Sequence, residues 1–141
     1  MSPPVLIHSL ARARLALRLQ ADATLLSAPW AGCYAGAPWW RALVAAARAE
    51  FGPGHDILDC GEAPGAAMAA LRMGQRVLIL APGPAFARVQ AAAATLGARV
   101  LDQAPAALTL DDWLRQHPLD PPPLDPGPLD RDAASPLLSA P

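Results

Sequence analysis

The chain has 141 residues, with 12 acidic against 11 basic side chains and a formal net charge of −1. This length suits one domain whose single hydrophobic core needs neither disulfides nor a structural metal. The near-neutral charge and the scattered arginines argue against nucleic acid as a partner. The first apolar run, Val5–Ile7, is too short for a signal peptide or a membrane span, so we expect a cytoplasmic protein with no membrane partner.

All 11 basic residues are arginine, and lysine is absent. A lysine amine is required by Schiff-base and pyridoxal phosphate enzymes and by P-loop nucleotide-binding proteins. We therefore predict neither pyridoxal phosphate nor a P-loop nucleotide. The Gly-x-Gly-x-x-Gly motif is also missing, so no dinucleotide is expected. Any other cofactor is left unidentified by the sequence.

The chain contains two cysteines, Cys33 and Cys60. Because no secretory leader precedes them, we expect free thiols rather than a disulfide. The three histidines and these two cysteines do not have the spacing of metal ligands. The sequence therefore predicts no metal site.

Five short apolar runs predict five β-strands. The runs are too short for helices and lack the alternating polar residues of a half-solvated strand. Strands buried on both faces are typical of a parallel sheet. The predicted strands are Val5–Ile7, Ala23–Leu26, Ile57–Leu58, Val77–Leu80 and Arg99–Leu101.

Helix signals lie after each predicted strand. Ser9 can cap a first helix that ends near Gln20, and Thr109 can cap a last helix by accepting from the amide of Asp112. That last helix should end near His117, because a proline follows. The three middle helices start near a proline and end near a glycine. They are predicted at Trp39–Phe51, between Pro64 and Gly74, and between Pro84 and Gly97.

The strict alternation of strands and helices predicts that residues 1–117 form one α/β domain. We expect three layers, with a five-stranded, mostly parallel sheet in flavodoxin-like or Rossmann-like strand order and helices on both faces. Residues 118–141 carry a loose Pro-Leu-Asp repeat and are expected to form a disordered, proline-rich tail. Such a tail serves either to solubilise the protein or to dock on an aromatic groove.

Polar residues follow the first three predicted strands. In chain order they are His8, Ser9, Ser27, Asp59, Cys60 and Glu62. Ligands of parallel α/β sheets bind at the carboxyl ends of the strands, near the point where the strand order reverses. With flavodoxin-like order His8 would face Asp59 and Cys60. With Rossmann-like order it would instead face the segment 82–84.

The leading functional hypothesis is the binding of a small molecule at the carboxyl ends of strands one to three. Its ligand-binding candidates are Ser9, Ser27, Tyr34 and Glu62. A second hypothesis is a cysteine- or histidine-dependent transferase or hydrolase that uses the same pocket. Its catalytic candidates are His8, Asp59 and Cys60, with the cysteine as nucleophile. Whether the protein is an enzyme is left open.

The connection after the second predicted strand is longer than a minimal one. Its residues 28–37 place Trp30 and Tyr34 between glycines. Such a loop could close over a ligand as a lid. Alternatively, its aromatic side chains could cover the sheet edge or form a homodimer contact through Trp30, Trp39 and Trp40. A non-catalytic module that dimerises through these residues is the third hypothesis.

Overall fold

A computed structural model describes residues 3–116 of the chain. The tail predicted for residues 118–141 lies outside the described residues. Within them, strands and helices alternate as the sequence indicates, with one additional short helix. The elements are β1 Val5–Ile7, α1 Leu10–Leu19, β2 Leu25–Ser27, α2 Ala31–Tyr34, α3 Gly36–Arg48, β3 Asp56–Asp59, α4 Pro64–Arg72, β4 Val77–Ile79, α5 Phe86–Thr95, β5 Arg99–Leu101 and α6 Leu110–Gln116.

The five strands form one parallel sheet in the order β1-β2-β3-β4-β5. The predicted α/β class and the parallel sheet are therefore confirmed. The strand order, however, is neither flavodoxin-like nor Rossmann-like, because each strand lies beside its predecessor. No reversal of strand order occurs among the described strands, so the crevice expected at such a reversal is absent there.

The layering also differs from the prediction. Right-handed crossovers between sequential neighbours place every connecting helix on the same face of the sheet. In agreement, α1, α3, α4 and α5 pack against one another in that order, and α6 packs beside α1 and β1. The described residues thus form two layers, one of helices and one sheet, instead of the expected three.

The two faces of the sheet carry separate apolar clusters. The main core lies between the sheet and the helices and includes Val5, Leu25 and Leu58 from the strands. On the opposite face, a smaller cluster contains Leu26, Ile57 and Ile79. No helical residue belongs to this second cluster among the described residues. Both faces are therefore apolar although only one is covered by helices.

The segment 102–107 connects the two edges of the sheet. It joins Leu101, on the β5 edge, to Leu108, which forms a parallel bridge with Val5 at the other edge. We call residues 102–107 the strap.

The ends of two helices follow the predicted caps. The Ser9 hydroxyl accepts from the Arg12 amide at 3.3 Å, and the Thr109 hydroxyl accepts from the Asp112 amide at 3.1 Å. The segment predicted as a loop, residues 28–37, is instead largely helical, because it contains α2 and the start of α3. Within residues 3–116, no helix has the length and apolar character needed to cross a bilayer.

Asp56, at the start of β3, anchors α3 to the sheet. Its Oδ2 atom accepts from Trp40 Nε1 at 2.8 Å, from Arg41 Nη1 at 2.9 Å and from Gln75 Nε2 at 2.9 Å. Trp40 and Gln75 are almost completely buried. The carboxylate thus gives the buried Trp40 N–H its partner and gives the Gln75 amide an acceptor besides the Val77 carbonyl.

Arg48, at the end of α3, forms a second anchor. Its guanidinium donates to the carbonyls of Ala21 at 2.8 Å, Ala23 at 2.6 Å and His55 at 3.2 Å. A Cβ atom at Gly54 would lie 2.2 Å from the Arg48 guanidinium carbon, so only glycine leaves room for this side chain. The turns before β2 and β3 are therefore tied to the same helix.

Candidate functional site

Ser27 and Asp59, two of the predicted site residues, bind each other at the carboxyl ends of β2 and β3. The Ser27 hydroxyl accepts from the Asp59 amide at 2.9 Å and donates to the Ala28 carbonyl at 3.1 Å. The Asp59 carboxylate accepts from the Gly61 amide at 2.8 Å. Both side chains are buried. These hydrogen bonds fix the conformation of the loop after β3.

Cys60 is buried beneath α2. A Cβ atom at Gly32 would lie only 2.9 Å from the Cys60 Sγ atom, so the helix rests directly on this thiol. Burial, with smaller contributions from Cys33 and Asp59, raises the pKa of Cys60 to about 12. The thiol is therefore protonated at neutral pH, whereas nucleophilic attack requires the thiolate.

Cys33 lies on α2 beside Cys60 but is exposed. Its Sγ atom donates to the Cys60 carbonyl at 3.0 Å. Burial of its sulfur, followed by the charge of Asp59, raises the pKa of this thiol as well. Both cysteines are free, as predicted.

Trp30 is held in a strained conformation at the same edge of the sheet. Its φ is +65°, and it is the one non-glycine residue with positive φ among those described. The indole rests on Gly61, where a Cβ atom would lie 2.7 Å from Trp30 Cδ2. The side chain is still 48% exposed, and Tyr34, one turn further on, is 69% exposed. The loop after β2 thus presents aromatic surface to solvent.

A cleft of about 420 Å³ opens at the carboxyl ends of β3 and β4. We call it the carboxyl-edge cleft. Glu62 and Pro64 line one side, and the segment 80–86 lines the other. The Ala81 amide donates to the Gly61 carbonyl at 2.8 Å, which fixes the two loops relative to each other. Glu62 is the one ionisable side chain among the described residues that line this cleft.

A second cleft, of about 340 Å³, lies at the edge of β1, and we call it the β1-edge cleft. Its walls come from β1 and α1 on one side and from the start of α6 on the other. The lining residues are Leu6, His8, Arg12, Thr109, Leu110 and Asp111.

The predicted site residues are therefore not brought together in one pocket. His8 lines the β1-edge cleft, whereas Glu62 lines the carboxyl-edge cleft. The strand register places His8 level with Asp59 but with β2 between them, about 10 Å away. Neither expected partner of His8 faces it, since the segment 82–84 belongs to the other cleft. Ser9 serves as the cap of α1.

The interface predicted through three tryptophans needs a correction. Trp40 is fully buried and donates to Asp56, so its side chain has no surface to offer a second copy. Trp39 and Trp30 are 36% and 48% exposed. The apolar spacing of Trp40, Leu43, Val44 and Ala47 along α3 is the signal that places Trp40 on the buried face.

Sequence reasoning missed Arg12, Asp111 and Phe86 as cleft residues. Arg12 and Asp111 line the same cleft because the strap carries α6 to the β1 edge of the sheet, and no local sequence pattern predicts this. Among residues 3–116, no three His, Cys, Asp or Glu side chains group as a metal site requires. No known protein family, curated protein or solved structure matches this chain.

Proposed function

We propose that this protein binds a small organic cation, without covalent chemistry, in the carboxyl-edge cleft. The proposal rests on one observation, a cleft of about 420 Å³ with a single carboxylate in an otherwise apolar lining. Its size falls in the range of about 300 to 1,000 Å³ typical of small-molecule pockets. Loops at the carboxyl ends of parallel strands are also the usual ligand sites of α/β folds.

The charge of the lining favours a cation. Glu62 has no hydrogen bond or ion pair with any residue from 3 to 116, so its carboxylate is available to an ammonium group. Pro82, Pro84 and Phe86 supply apolar surface for the body of the ligand. The exposed indole of Trp30, seated on the residue before Glu62, adds a ring that can attract the same charge.

The chemistry of the remaining candidates favours binding over a transferase or hydrolase. The Cys60 thiol is buried and has a pKa of about 12. His8, the expected base, lines a different cleft. A nucleophile and its base must lie within hydrogen-bond distance of each other during the reaction. Non-covalent binding needs neither group.

A titration with phenethylamine, followed by the backbone amide signals in NMR spectra, tests the proposal. We expect shifts of the amides of Gly61, Ala81 and Gly83, and weaker shifts with the neutral phenethyl alcohol. Glu62→Gln should weaken amine binding by about fivefold, the upper range for an exposed ion pair. Asp111→Asn removes a carboxylate from the other cleft and serves as the matched control.

Two results would overturn the proposal. One is an absence of shifts around the cleft at millimolar amine. The other is equal amine affinity in the parent protein and in Glu62→Gln.

A further inference from the structure

We propose that the β1-edge cleft is a second binding site, which takes a small zwitterion such as a free α-amino acid. Arg12 and Asp111 line this one cleft of about 340 Å³, yet no ion pair joins them. Neither side chain forms a hydrogen bond or ion pair with another residue in the described part of the chain, 3–116. Two side chains of opposite charge thus line one cleft, and neither has a partner among residues 3–116.

The fold places these charges on separate walls. Arg12 belongs to the first turn of α1, directly after β1, and Asp111 belongs to the first turn of α6. The strap ends at Leu108, whose bridge to Val5 fixes the start of α6 beside β1. Backbone pairing therefore fixes the position of the two helix starts that carry these side chains.

The lining matches a ligand that carries both charges. A ligand carboxylate can accept two parallel hydrogen bonds from the Arg12 guanidinium, and a ligand ammonium can donate to the Asp111 carboxylate. Leu6 and Leu110 supply an apolar surface for an alkyl side chain, and the Thr109 hydroxyl offers a further hydrogen bond. A ligand with only one charge would pair with one wall and leave the other charge unmatched.

Titrations with L-leucine, L-leucinamide and 4-methylpentanoate separate the two charges, because the last two ligands keep only the ammonium or only the carboxylate. We expect leucine to shift the amides of Arg12 and Asp111 and to bind about fivefold more tightly than either analogue. Arg12→Gln should weaken leucine by a similar factor and leave leucinamide unchanged. Asp111→Asn should weaken leucine and leave 4-methylpentanoate unchanged.

Asp22→Asn, which replaces an exposed carboxylate that lines neither cleft, is the matched control and should leave leucine affinity unchanged. The Arg12 and Asp111 side chains are both exposed, so the circular dichroism spectra of Arg12→Gln and Asp111→Asn should match that of the parent protein. Equal binding of leucine and its two analogues would overturn the proposal. So would leucine affinity that is the same in Arg12→Gln, Asp111→Asn and the parent protein.

Discussion

Replacing Asp56 by alanine is expected to cost a large part of the stability of this fold. The substitution removes the acceptor of three hydrogen bonds of 2.8 to 2.9 Å. It leaves the buried Trp40 N–H without a partner, and it removes one of the two acceptors of the buried Gln75 amide, which also donates to the Val77 carbonyl at 2.9 Å; each loss costs about 1 to 3 kcal/mol. The partly buried ion pair with Arg41 adds about 1 kcal/mol at most.

The sum, about 2 to 7 kcal/mol, is large against the total stability of a typical domain, which is roughly 5 to 15 kcal/mol. Asp56→Asn keeps a carbonyl oxygen that can accept from Trp40 or Gln75 and loses the charge, so it should cost about 1 to 2 kcal/mol. Asp22→Ala removes an exposed acceptor of Gln20 and should cost less than about 0.5 kcal/mol.

Urea unfolding followed by tryptophan fluorescence and by far-ultraviolet circular dichroism gives the three free energies of unfolding. A loss below about 1 kcal/mol in Asp56→Ala, with an unchanged urea dependence, would refute the reasoning. Equal losses in the alanine and asparagine variants would also contradict it, because they would assign the effect to charge rather than to buried donors.

Three further outcomes follow from the same structure. The pKa of Cys60 is about 12 in the folded protein against an ordinary value of 9.0, so the unfolded chain loses this proton at lower pH. The free energy of unfolding should therefore fall between pH 9 and 12, by at most about 1.4 kcal/mol per pH unit. Cys60→Ala should flatten that slope in urea unfolding. A thiol reagent at pH 8 should label Cys33 in the native protein and Cys60 only in urea; rapid labelling of both would contradict its burial. Gly54→Ala should destabilise by about 2 to 4 kcal/mol in the same assay, because its Cβ atom overlaps the Arg48 guanidinium, and a neutral effect would argue against that contact.

The placement of strands and helices could largely be predicted from sequence, but the strand order could not. Each short strand is apolar on both faces, which is the pattern expected when helices cover both. Leu26 and Ile57 belong to the cluster on the face opposite the helices. An apolar strand residue gives the same sequence pattern whether or not a helix covers it. Strand order therefore depends on long-range pairing that local periodicity does not record.

The same reasoning explains where the predicted site residues lie in the fold. Glu62 follows β3 directly, so it reaches the carboxyl edge in any strand order. His8 reaches that edge too, but its neighbours depend on the order, and its expected contacts with Asp59 therefore failed. Arg12 and Asp111 line the same cleft only because of the route of the strap, which depends on long-range pairing and not on local sequence.

The sequential winding has a consequence for synthesis on the ribosome. Each strand pairs with the one made just before it, so a nascent chain can add units one after another to a growing edge. The outer edge of β1 is the exception, because its partner Leu108 is made only after all five strands; Leu108 accepts from the Leu6 amide at 2.8 Å and donates to the Pro4 carbonyl, next to β1, at 3.0 Å. Until Leu108 emerges, β1 presents unpaired backbone groups, which are a template for association between chains. The strand at this edge is therefore shielded by a segment that is made after the rest of the sheet.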